Sequence, residues 1–597
     1  MEILVCRKLN RKIAKEARGF KLKCFEALSK KTVNLCKKYE INRLYLEKLS
    51  EPDKEAYFNE LDKFWDKVIS TFDNKHSFWR KSVSSKMQPW ENSVGYISLV
   101  LFSLKRMSSL GCLSKILIIA NSIELKNAII QWCHVNDIKI YKSSHIERDF
   151  STKIFQKIRI FVSSLARIAS CILKKSKTIG VKNYYRGNKT KKKTVLIASL
   201  LYPQSFKNNI FFDPFFGNLH KEILKNGYEC IYISDILNKF DRSTVKSAAR
   251  CTEVGINLIY SVISWGSLIK VFINRFFNKV KIQNAEFMDC DFSSFLNYQV
   301  SLFDFSFNIH AELFFIAVKK ICQSHKFDKF IQTFEGNVHE RACTQAFKMY
   351  SNGETIGYSH GVVYPLNLKI YLTGKESKIK PEVSKYICTG SYYRELFLNI
   401  GRNYDPLKVY SGCMIKYIPS SLDREEYSYC NQKNILVSFG GVESTANVAD
   451  WMLLLPKSLK EYHFIFRFHP NMPEGKIMPQ MINDIPINVT VSTGDLKADI
   501  NKSFCVVYRH SSVGIQSIMN GVPAVYLNID SPLSGDPIEA LDKFKWTVNS
   551  EEEFYRVIND IRNMSKEKIQ KQRLEAFDFI NKYFAKPTPD NLRSFFE

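Results

Sequence analysis

The 597-residue sequence has no Cys-x-x-Cys pair, although 15 cysteines are scattered along it. Without regular spacing, neither a structural zinc site nor a disulfide framework is expected. Free thiols in this number fit a reducing compartment. The N-terminus, MEILVCRKLNRKIAKE, lacks a long apolar core after its charges, so no signal peptide is expected. The longest uncharged apolar run, VGINLIYSVISWGSLI at 254–269, has 16 residues, fewer than the ~20 of a spanning helix. No helix-turn-helix, zinc-finger or RNP-type pattern occurs, so nucleic acid is not an expected partner. Acidic residues are also scarce: 59 against 87 lysines and arginines, a net charge of +28. Such a balance suits anionic small substrates or an anionic membrane surface, beside the plain reading of a solvated lysine-rich surface.

What is present is core material. Apolar residues make up 45% and aromatics 13%, ample for packed domains. The length alone suggests three to five of them. After a charged, helical opening, ILIIA, ELKNAIIQWCHV and IKIY (within 114–143) read as β-α-β, placing a small α/β domain at 1–150. The segment 174–194 carries eight lysines, one arginine and no acid, which reads as a solvated linker. A basic linker at 151–193, with a possible seat on a membrane surface, therefore separates this domain from the rest. Two stretches could lie flat on an anionic bilayer: 157–175, and 254–269 with the KVFINRFFNKVK that follows. Both read equally well as ordinary core helices.

Strand and helix patterns then alternate to the C-terminus. TVLIASLL, KFIQTF, ETIGYS, YICTG and LKVYSG fall in 194–420; NILVSF, HFIFRF, INVTVS, FCVVYR and PAVYLN fall in 421–597. Repeated alternation means parallel sheets covered by helices on both faces. Two such domains in tandem would enclose a cleft.

Ligands of open parallel sheets sit at the carboxyl ends of the strands. In the last domain those ends carry Gly440-Gly441, then Arg467 with His469-Pro470, then Arg509-His510-Ser511-Ser512. Glycine pairs and serines at helix starts let backbone N–H groups meet a phosphate. Capping alone would also explain one serine. In the preceding domain, KFIQTF leads to Glu335-Gly336, and ETIGYS to His360-Gly361. Glu335 can serve as a base, or merely as a negative charge at the N-terminus of the helix near His339. His360 is the alternative base, and Arg341 a further candidate for the cleft. No Asp-x-Asp is expected at a strand end, and no metal or cofactor is expected.

The order of Glu-Gly in FEGN, then RFHP, then RHSS, resembles bacterial GT-B glycosyltransferases that use CMP-activated acidic sugars, the sialyltransferase-like and Kdo-transferase-like enzymes. FFDPFFGNLHKEIL, EGNVHERACTQAF, IGYSHGVVYP and RFHP resemble O-antigen and capsule biosynthesis proteins. Phe334 stands where the family more often has a second acid. The resemblance implies two tandem Rossmann-like domains: an acceptor-side domain at 194–420 and a nucleotide-sugar domain at 421–597. It implies Glu335 as base, and His469, Pro470, Ser511 and Ser512 on the nucleotide. The function so implied is metal-independent transfer from a nucleotide-sugar, with CMP as the nucleotide of that pattern. The acceptor would be a glycolipid or polysaccharide precursor of lipopolysaccharide or capsule, and the protein cytoplasmic and peripheral on the inner membrane face. A teichoic-acid-type polyol-phosphate transferase, or a non-catalytic nucleotide- or polysaccharide-binding protein, fits the same motifs.

Overall fold

The computed structural model describes residues 1–24, 30–72, 78–81, 84, 86, 94–112, 115–120, 122–141, 150–181, 183–184, 192–237, 240–277, 281–416, 433–440, 452, 455–468 and 485–596. Three parallel sheets succeed one another along the chain.

The first sheet has the order β3-β2-β4-β1-β5, with β1 Glu2–Cys6, β2 Lys21–Cys24, β3 Asn42–Arg43, β4 Lys115–Ile119 and β5 Lys139–Ile140. The expectation of a helical opening fails at β1. EILVC lies inside the sheet, pairing with β4 on one side and β5 on the other. Its side chains Ile3 and Leu4 are buried against opposite helical layers. Five apolar-rich residues between charged neighbours gave no periodic signal.

The second sheet has the order β14-β13-β12-β11-β6-β7-β8. Its strands are β6 Thr194–Leu201, β7 Glu229–Ile236, β8 Gly255–Leu258, β11 Lys329–Thr333, β12 Glu354–Ser359, β13 Lys385–Cys388 and β14 Val409–Ser411. Between β8 and β11, Glu286–Phe287 (β9) and Cys290–Asp291 (β10) form a small hairpin. Every residue of β11 is buried, and all of β6 except Leu200. Sheets covered on both faces bury their central strands on both sides in this way. Strand order reverses between β6 and β11, the switch point at which a crevice opens.

The third sheet has the order β17-β16-β15-β18-β19-β20, made of β15 Asn434–Ser438, β16 His463–Arg467, β17 Val489–Val491, β18 Cys505–Tyr508, β19 Ala524–Leu527 and β20 Lys545–Val548. Its reversal falls between β15 and β18. The second and third sheets are thus tandem Rossmann-like α/β units, preceded by an additional α/β unit.

Two stretches differ from expectation. The run 254–269 is not one helix: it holds β8, a short helix Ile259–Val262, and the start of the helix Trp265–Phe277. The stretch read as a linker contains a 28-residue helix, Phe150–Lys177. Its C-terminal lysines are engaged: Lys174 pairs with Asp235 at 3.0 Å, and Lys175 and Lys177 donate to the carbonyls of Tyr260 and Phe240.

The chain also returns. The helix Lys566–Tyr583 packs Ala576, Ile580 and Tyr583 into the core that holds Tyr393 and Phe397, and Leu592 and Phe595 enter the core of the second sheet. Among the described residues no single helix is long and apolar enough to cross a membrane. The described cysteines are free thiols, most of them buried.

Candidate functional site

The crevice begins with Glu335 and His360, which follow neighbouring strands. The β11–β12 register brings Thr333 opposite Tyr358, so both residues leave the sheet at one edge. His360 Nε2 stands 3.4 Å from Glu335 Oε1. Gly361 makes this possible: a Cβ there would lie 2.7 Å from Glu335 Oε1. Gly336 turns the chain at φ +80°, and a Cβ there would meet the Lys369 carbonyl at 2.5 Å.

The two readings of Glu335 separate here. Charge at the start of the helix Val338–Tyr350 comes from Glu340, not Glu335. Glu340 Oε2 accepts from the backbone N–H of Asn337 at 2.8 Å and of Glu335 at 3.0 Å, closing a capping box with Asn337. Its Oε1 accepts from the Thr333 hydroxyl at 2.8 Å. Glu335 is free of that duty and remains 36% exposed. Burial works to raise its pKa, but His360, Lys369 and a hydrogen bond from Asn337 outweigh it and hold the carboxyl below its ordinary value. His360 shifts down from its ordinary value, because burial outweighs the Glu335 charge. The pair at neutral pH is therefore a carboxylate beside a neutral imidazole. Burial, with the Glu335 charge beside it, raises Glu340 to about 7.

Two groups that the sequence reading missed frame this pair. Asp213 accepts from the N–H groups of Phe215 and Phe216 at 2.7 and 2.8 Å, and so sets the Phe215 ring edge-on to His360 at 4.9 Å. The Asp-Pro-Phe-Phe-Gly turn was the available signal. Tyr364, four residues beyond His360, stacks on His510 with centroids 5.8 Å apart and planes 17° apart. The Glu335 charge adds to the upward shift of the Tyr364 phenol, after burial. One short segment therefore joins the Glu335–His360 edge to the end of β18.

At that end His510 takes φ +48°, so the chain turns sharply, and Ser511 and Ser512 are half-buried. Ser511 Oγ accepts from the Val513 N–H at 3.2 Å, while Ser512 makes no side-chain cap and accepts from Gln516. Arg509 is 4% exposed. Its Nη2 donates to the Asp530 carbonyl at 3.1 Å, with Ser531 Oγ 3.4 Å away, while Nε and Nη1 have no partner among the described residues. His510 Nε2 is likewise buried and unpartnered. Burial, then the Arg509 charge, pushes His510 well below the ordinary histidine value, so it is neutral.

The remaining candidates are placed differently. Gly440 follows β15, buried at the same switch point. Gly441, His469 and Pro470 lie outside the described residues. Arg467 does not stand free at its strand tip: Nη1 donates to Asp499 at 2.9 Å and to the Gly494 carbonyl at 2.7 Å. Arg341 is not in an open cleft. It is buried, donating to the carbonyls of Ser84 and Lys369 with its guanidinium over Trp79, and so joins the first sheet's helices to the second sheet. The stretch Asp289-Cys290-Asp291 is an Asp-x-Asp on hairpin β9–β10, where Asp291 accepts from the Ser293 N–H. Among the described residues no group of three His, Cys, Asp or Glu side chains is placed to hold a metal ion.

No protein-family model matches the chain, and no curated protein matches it. The chain is similar to the N-terminal domain of trehalose-6-phosphate phosphatase from Candida albicans, at 10% identity and TM-score 0.43 over 69% of this chain and 97% of that one. It is similar to S. aureus MnaA solved with UDP, at 12% identity and TM-score 0.39 over 68% and 95%. It is also similar to the glycosyltransferase SnogD from Streptomyces nogalater, at 12% identity and TM-score 0.37 over 68% and 99%.

Proposed function

We propose that the protein is a glycosyltransferase. It moves a sugar from a nucleotide-activated donor, with a CMP-linked acidic sugar the first candidate, to a hydroxyl of a lipid-linked or surface-polysaccharide precursor. The observation that carries this reading is Arg509: a guanidinium 4% exposed with two nitrogens unpartnered among the described residues, at the switch point of the third sheet. A buried cation with free donors calls for an anion. Tyr364, four residues beyond the His360 that stands 3.4 Å from Glu335 at the end of the second sheet, stacks on the adjacent His510.

In this reading the acceptor hydroxyl lies on Glu335. Its oxygen bonds to the anomeric carbon of the sugar, and its proton passes to the Glu335 carboxylate. The bond from that carbon to the phosphate oxygen breaks, and its electron pair leaves on the nucleotide. Arg509 Nε and Nη1 meet the charge that develops there. His360 orients the carboxylate and shares its proton through the 3.4 Å contact. Phe215 keeps water from the imidazole face.

Calorimetric titration with CMP, CDP and UDP tests the phosphate side. Binding is expected, and R509K should weaken it by about tenfold or more, because a lysine cannot reproduce two fixed donors. E335Q should bind nucleotide as the parent does and lose on the order of 10²–10⁴ in turnover. Absence of heat with every nucleotide ends the reading. Phosphate carried to the product with CMP release would mean polyol-phosphate transfer instead. Binding without turnover in the parent would mean a binding protein.

A further inference from the structure

The helix Phe150–Lys177 is about 42 Å long at 1.5 Å per residue. Of its described residues only Ser164 and Lys175 are buried. Helices on a protein surface ordinarily turn their apolar stripe inward. This one turns it outward: Ile154, Ile158, Phe161, Leu165 and Ile172 recur at helical spacing and all stand exposed. The helix Trp265–Phe277 does the same with Ile269, Ile273 and Phe277, the last 80% exposed. The helix Phe150–Lys177 packs against the π-helical segment Asp304–Asn308, which Arg275 of the helix Trp265–Phe277 reaches through the Asn308 carbonyl and Asp304, and where Phe307 is itself half exposed. The two apolar stripes thus flank one shared element.

The charge on this surface has one sign. Neither helix contains an aspartate or glutamate. Lys157, Arg159 and Lys270 stand exposed along its borders. A second copy seated by twofold symmetry would set these cations against themselves. A sheet of anionic headgroups over hydrocarbon matches both features: apolar side chains enter below the headgroups and the border cations remain among them.

We propose that these two helices form a docking face for an anionic lipid bilayer, on which the protein lies without spanning it. The face is held to the candidate site. Lys174 pairs with Asp235 at the end of β7, and Asp235 accepts from His310 at 3.1 Å, along the sheet edge that carries Glu335. If the transfer reading holds, docking brings a lipid-borne acceptor to that edge. The docking proposal itself does not rest on that reading.

Flotation of the full chain tests it, using vesicles of phosphatidylcholine alone and vesicles with about one third phosphatidylglycerol. The parent should float with the anionic vesicles and far less with the neutral ones. F161D/L165D should lose flotation on both, with thermal unfolding unchanged because both side chains are exposed. K157A/R159A should weaken anionic binding roughly 25-fold, at about fivefold per cation removed. K571E, exposed on the helix Lys566–Tyr583 and on neither docking helix, should float as the parent does. A parent that stays in solution with anionic vesicles overturns the proposal, as does F161D/L165D floating like the parent. A dimer in light scattering that F161D/L165D dissolves overturns it too, by assigning the face to a second copy. No nucleotide enters these measurements, so their failure leaves the transfer reading standing.

Discussion

Two glutamates five residues apart divide two tasks that were alternative readings of Glu335 alone. Glu340 secures the helix start and two backbone N–H groups of the Glu-Gly turn; Glu335 is left for chemistry. The division has a pH signature. Burial raises Glu340 to about 7, above the ~4.3 of an unfolded glutamate. The folded state therefore binds more protons between these values, and this residue's contribution to stability falls as pH rises from about 4.5 to 7. Nearby histidines with lowered pKa values, such as His339 at about 3, act oppositely over part of the same range. The clean readout is a difference. Relative to E340Q, the parent should lose on the order of 3 kcal/mol of unfolding free energy between pH 4.5 and 7. Parallel profiles in urea unfolding would show that Glu340 titrates normally.

At the scale of elements, strand ends deliver the site and glycines make room for it. G361A pushes a methyl against the Glu335 carboxylate at 2.7 Å. The strand before it is untouched, so melting temperature should hold within a few degrees while turnover falls at least tenfold, the scale of misplacing a catalytic group. Unchanged turnover would remove Glu335 from the mechanism. These positions were legible in the sequence because β11, β12, β15, β16 and β18 are short runs rich in apolar residues that lead into Glu-Gly, His, Gly or Arg. Strand β1, as long as β11, β15 and β16, was hidden by the charged, helix-like sequence RKLNRKIAKE that follows it. The outward stripe of Phe150–Lys177 was legible as amphipathic, but the direction it faces is a tertiary fact. Arg341 and Arg467 look like cleft cations in a linear reading. Their carbonyl and carboxylate partners lie 27 residues or more away in the chain, so only the folded chain shows that they are taken.

At the scale of the molecule, the first sheet gains a role that its own sequence did not suggest: it braces the loop beneath Arg509. Lys23, on β2, is buried and donates to Asp530 at 2.6 Å; Asp530 Oδ1 also accepts from the Leu46 N–H, and its carbonyl accepts from Arg509. Removing Lys23 leaves a buried carboxylate without its cation, a loss on the order of 3–5 kcal/mol. K23M should therefore destabilise the whole chain and, through the Asp530 carbonyl, weaken nucleotide binding. Adding D530N removes the orphaned charge, so K23M/D530N should recover part of the stability, a coupling that a double-mutant cycle measures. Nucleotide affinity should recover with it, because D530N leaves in place the backbone carbonyl that holds Arg509. Recovery of stability without affinity would separate the brace from the site; recovery of both would make the first sheet a working part of the nucleotide pocket.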